Sequence, residues 1–323
     1  MEKIVITGGL GNIGIPTAKA LANKGHQIII YDNREDRERL FKNSENIKVI
    51  NGDILDFDHL KRIIIGATGI IHLAALSRVV WGYENPHQCV SVNIMGMTNV
   101  LEAARISVRK PWIIFGSSRE VYGEPDELPV NEDFPKKIAN VYGVTKLTGE
   151  FLLEKYCENY GLNALALRFS NVYGSEFDQM DRVIPKFIIR ASKGYPLVIQ
   201  GGKQVFDFTH IEDTVAGILK AVDFLIDKTL LDTISYYNDF HILSGEATKL
   251  IDLVEIIKSM FSNEVEVIYK PPRSYDVEKF YGDPSKARDI LHYSAKNSIE
   301  EGIKKFFNAL KKDYLGNVNP LKE

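Results

Sequence analysis

Cysteine is scarce in this sequence, with only Cys89 and Cys157 in 323 residues. Two thiols build neither a disulfide framework nor a zinc site, and they read as small buried hydrophobes in a reducing compartment. The seven histidines show no metal-ligand spacing, so no metal is expected. There is no basic excess. Lys and Arg total 40 against 43 Asp and Glu, a net charge of −3, which argues against a nucleic-acid partner. No stretch approaches the roughly 20 apolar residues that cross a bilayer, and no membrane partner is expected. No leader pattern opens the chain, because Lys3-Ile4-Val5-Ile6 runs straight into a glycine loop. What is present is an ordinary balance, 45% apolar and 26% charged residues, in a chain long enough to bury a sizeable core. Mixed-sign blocks such as Arg34–Arg39 read as a solvated face. The expectation is a soluble cytoplasmic protein.

Short β-branched runs alternate with helical stretches. Strands are predicted at Lys3–Thr7, Gln27–Tyr31, Lys48–Asn51, Gly69–Leu73, Trp112–Gly116 and Asn163–Phe169, and helices at Ile13–Lys24, Asp56–Ile65, Pro86–Ser107 and Val141–Tyr160. The strand runs are nearly all apolar, as in parallel strands covered on both faces. This alternation predicts an α/β fold, a doubly wound parallel (Rossmann) sheet, over residues 1–170. Beyond that the rhythm changes. Gly- and Pro-rich loops and helices near 181–192, 247–261 and 298–311 predict a smaller C-terminal α/β domain over 171–315 that binds substrate. Phe206–His210 and Phe240–Leu243 are expected as strands returning to the first domain, and residues 316–323 as a flexible tail.

The first strand ends in Thr7-Gly8-Gly9-Leu10-Gly11-Asn12-Ile13-Gly14. Gly8, Gly11 and Gly14 let the chain turn sharply, let a pyrophosphate approach the backbone, and let the following helix pack on the strand. Asp32 ends the second strand 18 residues after Gly14, near the spacing expected of a ribose-binding carboxylate. A carboxylate there repels a 2′-phosphate, so NAD is predicted over NADP, with Arg34 close enough to weaken the preference. Asp53, after the third strand, suits an adenine amino group or a helix N-cap equally well.

Tyr142 and Lys146 stand four apart in a helical stretch, so both side chains share one face. A free phenol is a poor base, with a pKa near 10. A neighbouring ammonium and an oxidised nicotinamide favour its phenolate, which then takes a proton from a substrate hydroxyl. The pair gains weight from Gly116-Ser117-Ser118-Arg119-Glu120-Val121-Tyr122-Gly123, placed where a parallel strand delivers residues to a ligand. His72 and His210 read as structural histidines, and Arg78 and Trp81 suit either the sugar site or packing.

Together these residues resemble the extended short-chain dehydrogenase/reductase family, in its NAD-dependent nucleotide-sugar epimerase/dehydratase branch. The resemblance spans nearly the whole chain and includes Thr7–Gly14, Asp32, Gly52-Asp53-Ile54, His72-Leu73-Ala74-Ala75, Asn93, Ser117–Gly123, Tyr142/Lys146, Arg168–Gly174, Val183-Ile184-Pro185, Asp207–Asp213 and the Arg273…Asp276 segment. It implies a first domain that holds NAD through Gly8, Gly11, Asn12, Ile13, Gly14, Asp32, Asp53, Ile54, Leu73, Ala74, Ala75, Asn93, Tyr142 and Lys146. It implies a second domain that holds a nucleoside-diphosphate sugar. Tyr142 corresponds to the family's base, Lys146 to its partner on the nicotinamide ribose, and Ser118 to the hydroxyl on the sugar 4-oxygen. Asn171 and Arg273 correspond to diphosphate contacts. Phe206 stands where relatives usually carry an arginine, and Arg182 is the expected replacement. A homodimer paired through helices near 92–108 and 141–160 is also implied.

The branch turns on Arg119-Glu120. Dehydratases of the branch carry Asp-Glu there and decarboxylases a Glu, while 4-epimerases commonly carry a small or hydroxyl residue. The main reading is a nucleotide-sugar 4-epimerase that oxidises its substrate transiently to a 4-keto sugar and returns the hydride. The alternatives are a 4,6-dehydratase or UDP-glucuronate decarboxylase using Glu120 as a catalytic group and, from another class, a non-catalytic NAD- or sugar-nucleotide-binding regulator. The plainer expectation for Arg119 is a solvent-facing side chain; its guanidinium fork also suits the carboxylate of a uronic acid.

Overall fold

The computed structural model describes residues 1–231, 235–261, 264–272 and 277–310. Its frame is a sheet of seven strands: β1 (Lys3–Thr7), β2 (Gln27–Asp32), β3 (Ile47–Asn51), β4 (Gly69–His72), β5 (Trp112–Ser118), β6 (Asn163–Phe169) and, much later in the chain, a strand at Tyr236–Ile242. Every pairing in it is parallel, and the order is Tyr236–Ile242, β6, β5, β4, β1, β2, β3. The reversal of order falls between β1 and β4, whose C-terminal ends open a crevice.

The apolar runs are strands because each buries both faces. In β1, Ile4 and Ile6 enter one core while Val5 enters the other. In β5, Ile114 joins the first and Ile113 and Phe115 the second. Each fully buried aliphatic side chain contributes about 1.5–3 kcal/mol over its exposed state. The first core is closed by α1 (Gly14–Asn23) and a long helix at Ile211–Leu231; the second by α2 (Phe57–Ile64), a helix at Gly96–Ile106 and another at Val141–Tyr160. The sequence reading assigned no helix at 211–231. Its buried Ile211, Val215, Ile218, Val222 and Leu225 repeat at alternating steps of four and three, which is the signal for one.

The expected single helix at Pro86–Ser107 is composite. α3 (Val79–Glu84) leads into α4 (Pro86–Val90), a π-helical turn at Ser91–Met95 and then α5 (Gly96–Ile106). The next helix, α6 (Val141–Tyr160), has clear stops. Asn140 caps it by accepting from the Gly143 N–H at 2.9 Å, and Gly161 ends it at φ 68°, a left-handed conformation that glycine adopts freely.

After β6, a third core forms from smaller pieces, β7 (Asn171–Tyr173), α7 (Val183–Ser192), β8 (Leu197–Gln200), β9 (Val205–Phe206) and β10 (Phe208–His210), and the chain then returns to the first core through the long α8 (Ile211–Leu231) and the sheet strand β11 (Tyr236–Ile242). Then follow β12 (Thr248–Lys249), α9 (Leu250–Ser259), β13 (Val267–Lys270), β14 (Lys279–Phe280), α10 (Ser285–Leu291) and α11 (Ile299–Leu310). Phe206–His210, expected as one returning strand, breaks at Asp207. β9 pairs with β12 and β14, β10 pairs with β7, and neither joins the large sheet. The buried Asp207 carboxylate accepts from the backbone of Ser244 and Gly245, which explains the break. The predicted tail 316–323 lies outside the described residues. None of the described helices is long and apolar enough to cross a membrane.

Candidate active site

The β1–α1 turn is shaped by what its glycines lack. Gly8 sits at φ +69°, and a Cβ on it would stand 2.5 Å from the Ala74 nitrogen. A Cβ on Gly14 would stand 2.6 Å from Gly9 Cα. The turn therefore lies flush against the end of β4 and exposes its backbone to a cavity of about 890 Å³ that runs along the sheet's C-terminal edge. Gly8, Gly11, Asn12, Ile13, Gly14, Asp32, Asp53 and Ile54 line one end of this cavity, with Leu73, Ala74 and Ala75 beside them. Asn12 leaves its Oδ1 buried and without a partner among the described residues. The Asp32 carboxylate accepts from the Leu10 N–H at 2.9 Å and the Arg34 N–H at 3.0 Å, which fixes its direction. Arg34 pairs with it at 3.4 Å. A glycine cradle, an orphaned amide oxygen and a fixed carboxylate form a set that fits a dinucleotide.

Two expectations are corrected here. Asp53 is not a helix cap: that role falls to Asp56, while Asp53 accepts from the Leu55 N–H at 2.8 Å and lines the cavity. Asn93 does not line it. Its amide is held by Leu76 N–H at 2.8 Å and Thr145 Oγ1 at 2.9 Å, so it ties the loop after β4 to α6 from behind the wall.

The middle of the cavity is built by the ends of β5 and α6. Gly143 allows their close approach, since a Cβ there would meet the Glu120 carbonyl oxygen at 2.6 Å. Ser118, Tyr142 and Lys146 all line the cavity. Behind them Arg168, buried, holds Glu150 through two bonds of 2.9 and 2.7 Å, and Glu150 holds Ser117 Oγ at 2.5 Å. This fixes the strand end that carries Ser118.

The electrostatics differ from the expectation. Burial pushes the Tyr142 phenol above its ordinary value, aided by the nearby Glu120; the neighbouring Ser118 hydroxyl and the charge of Arg182 oppose this. Lys146 is not what lowers it. Its ammonium donates to the Gly116 carbonyl at 2.7 Å, 5.8 Å from the Tyr142 ring centre, and burial lowers it to about 8. The protein alone thus holds Tyr142 protonated. His72 is buried, bonded to Thr7 Oγ1 at 2.7 Å and lowered by burial to about 3, so it is a neutral structural residue. His210 is likewise buried, and burial lowers it.

Arg119 is not solvent-facing. It is buried against the rings of Phe206 and Phe280, 5.0 and 5.4 Å from their centres, and its Nη2 lies 2.9 Å from Glu120 Oε1. The other Glu120 oxygen accepts from Asn140 Nδ2 at 2.9 Å. Asn171, Arg182 and Lys186 also line the cavity, and the charge of Arg182 reaches Tyr142. Arg182 lies 3.4 Å from Asp178 Oδ1. Arg273 lies outside the described residues.

The sequence reading missed a bridging segment. Arg37, taken as part of a solvated face, donates to the carbonyls of Leu10 and Phe177, both at 3.2 Å. Arg78 pairs with Asp181 and lies over Trp81. These contacts fasten residues 177–181 over the cavity, and a motif search offers no signal for them because they join distant loops.

A doubly wound sheet with a dinucleotide cradle, and a Ser–Tyr–Lys set at the end of its fifth strand, defines an enzyme of the NAD-dependent nucleotide-sugar epimerase/dehydratase class. The model of the GDP-mannose 4,6 dehydratase family matches residues 5–306, and the chain belongs to that family. It is 33% identical over 316 residues to a putative UDP-glucose 4-epimerase of Methanocaldococcus jannaschii, covering 95% of this chain and 98% of the relative. Among solved structures it resembles UDP-glucose 4-epimerase of Thermotoga maritima with UDP-glucose, at TM-score 0.86 and 29% identity over 96% of this chain and 99% of that one. It also resembles UDP-glucuronic acid 4-epimerase of Bacillus cereus in complex with UDP-glucuronic acid and NAD, at TM-score 0.87 and 26% identity over 97% of this chain and 100% of that one.

Proposed function

We propose that this enzyme is an NAD-dependent 4-epimerase of a UDP-hexose. The observation that carries the reading is that Ser118, Tyr142 and Lys146 line the same cavity as the glycine cradle. The relatives named as 4-epimerases of UDP-sugars support the nucleotide and the reaction. NAD, when bound, supplies a hydride acceptor that returns what it takes, and a positively charged ring. Gly8, Gly11, Gly14 and Asp32 hold it, with Asp53 near the adenine end and Lys146 near its ribose. Tyr142 and Ser118 converge on the sugar 4-hydroxyl. With a positively charged ring beside it, Tyr142 would release its own proton to solvent, take the hydroxyl proton as a phenolate and later give it back, while Ser118 would orient the oxygen. Asn171, Arg182 and Arg273 bind the diphosphate. We assign residues 1–170, with β11, to the NAD-binding part and the chain from 171 to 315 mainly to the sugar nucleotide.

Glu120 has both oxygens engaged by Arg119 and Asn140, which disfavours a second reading in which it expels water or assists loss of CO₂. The buried unpaired thiols of Cys89 and Cys157 fit a reducing compartment, the cytoplasm. A homodimer across α5 and α6 accounts for the apolar residues exposed on them.

The test is incubation of purified protein with UDP-glucose, UDP-N-acetylglucosamine and UDP-glucuronate, followed by NMR. C4 inversion of at least one is expected, and a 4-keto-6-deoxy sugar or a pentose as product overturns the reading. Tyr142→Phe is expected to lower turnover about 10²- to 10⁴-fold, the contribution of a general acid–base, while NAD stays bound.

A further inference from the structure

Arg119 carries a feature that the reaction as described leaves unused. It is 9% exposed and lines the cavity, and its Nη1 is buried with no hydrogen-bond partner among the described residues. The guanidinium rests on two aromatic rings that are register neighbours in parallel strands, Phe206 of β9 and Phe280 of β14. Its Nη2 edge is neutralised by Glu120, which Asn140 holds in place. A buried ion pair adds little stability over apolar side chains of the same size, and an unpaired N–H left in it makes the arrangement worse. The arrangement makes sense when a ligand brings the missing oxygen.

Position limits what that ligand group is. Arg119 directly follows Ser118, lines the cavity, and pairs with Glu120, whose charge reaches Tyr142, so the pair stands near the reacting carbon; Arg182, whose charge also reaches Tyr142, lines the cavity as well. On a hexose, the carbon next to C4 on the ring-oxygen side bears C6. A cation on an apolar bed calls for an anion, and the anion C6 offers is a carboxylate.

Resting on the 4-epimerase reading, we infer that Arg119 is a specificity-determining residue whose Nη1 binds the C6 carboxylate of a UDP-hexuronate. Phe206 and Phe280 hold the guanidinium flat, and Glu120 occupies its Nη2 edge, which leaves Nη1 without a partner among the described residues and available to substrate.

The test compares UDP-glucuronate with UDP-glucose on the NAD-loaded enzyme, by NMR turnover and by calorimetric binding, with UDP itself as a third ligand. Wild type is expected to bind UDP-glucuronate more tightly than UDP-glucose. In Arg119→Gln the ratio of the two kcat/KM values is expected to fall roughly 10- to 100-fold, the range of one charge-assisted hydrogen bond. Arg119→Lys is expected to recover part of it. The affinity for UDP, which has the diphosphate and no sugar, is expected to change less than threefold. Equal losses on both sugars, or a parallel loss on UDP, overturn the inference by placing Arg119 on the diphosphate or in a purely structural role. Should the variants fail to fold, the wild-type affinity ratio decides, and a preference for UDP-glucose overturns the inference. An enzyme that inverts UDP-glucose and neither binds nor turns over UDP-glucuronate overturns it while the 4-epimerase reading stands. An enzyme that inverts none of the sugars overturns that reading, and the binding ratio still judges Arg119.

Discussion

Lys146 sits beneath Tyr142 with its ammonium out of water, and burial lowers it from 10.5 to about 8. Below about pH 8 the folded protein carries the full cost of burying that charge. Between about 8 and 10.5 the unfolded chain holds the proton more often than the folded one, so this residue's contribution to stability rises with pH. The unfolding free energy of Lys146→Met minus that of wild type is therefore expected to be largest below pH 8 and to shrink towards pH 10. Urea denaturation of NAD-free protein at pH 7, 8.5 and 10 checks this, and a difference that does not move would show that the Gly116 carbonyl offsets the desolvation. The same burial explains what was legible at this scale. The four-residue spacing placed Tyr142 and Lys146 on one face, and a strand end supplied Ser118. The protonation of Tyr142 was not legible, because sequence counts charged neighbours but not the water removed around them. Nor was Arg119, whose surroundings come from Phe206 and Phe280, far along the chain and brought close only by a small sheet.

Among the elements, the β1–α1 turn is the one whose geometry and motif coincide most closely. A Cβ on Gly14 would fall 2.6 Å from Gly9 Cα and 2.7 Å from the Gly8 carbonyl oxygen, both backbone atoms that cannot step aside. Gly14→Ala is expected to lower stability by about 1–3 kcal/mol, the range for overpacking a tight site, and to yield protein with less bound NAD. Thermal unfolding and the NAD content of purified protein measure the two effects, and a variant with unchanged NAD content would remove the turn from cofactor binding. The first six strands were readable because two-sided burial makes them continuous apolar runs that need no knowledge of their partners. The composite helix of residues 86–106 was not, since the π-helical turn that aims Asn93 at Leu76 and Thr145 leaves no mark on the apolar spacing. The break of residues 206–210 at Asp207 was hidden for a related reason, because its donors come from the loop after β11.

For the whole molecule, the question is what covers the outer face of α5 and α6. Val144 and Phe151, 44% and 57% exposed, stand two turns apart on one stripe of α6, and Met95, at the start of α5, is 52% exposed. Tyr142 lies on the opposite, buried side of the same helix. A monomer that left these residues in water would forgo burial that a second copy supplies, and the same stripe on two antiparallel copies of α6 meets itself across a two-fold axis. The double variant Val144→Glu, Phe151→Glu sets four like charges into that contact. Size-exclusion chromatography with light scattering is expected to give twice the chain mass for wild type and the chain mass for the variant. Because Val144 and Phe151 are not among the residues that line the cavity described above, the monomeric variant is expected to keep its bound NAD. A wild type that elutes at the chain mass at micromolar concentration would sink the dimer, and a variant that stays dimeric would move the interface to another face.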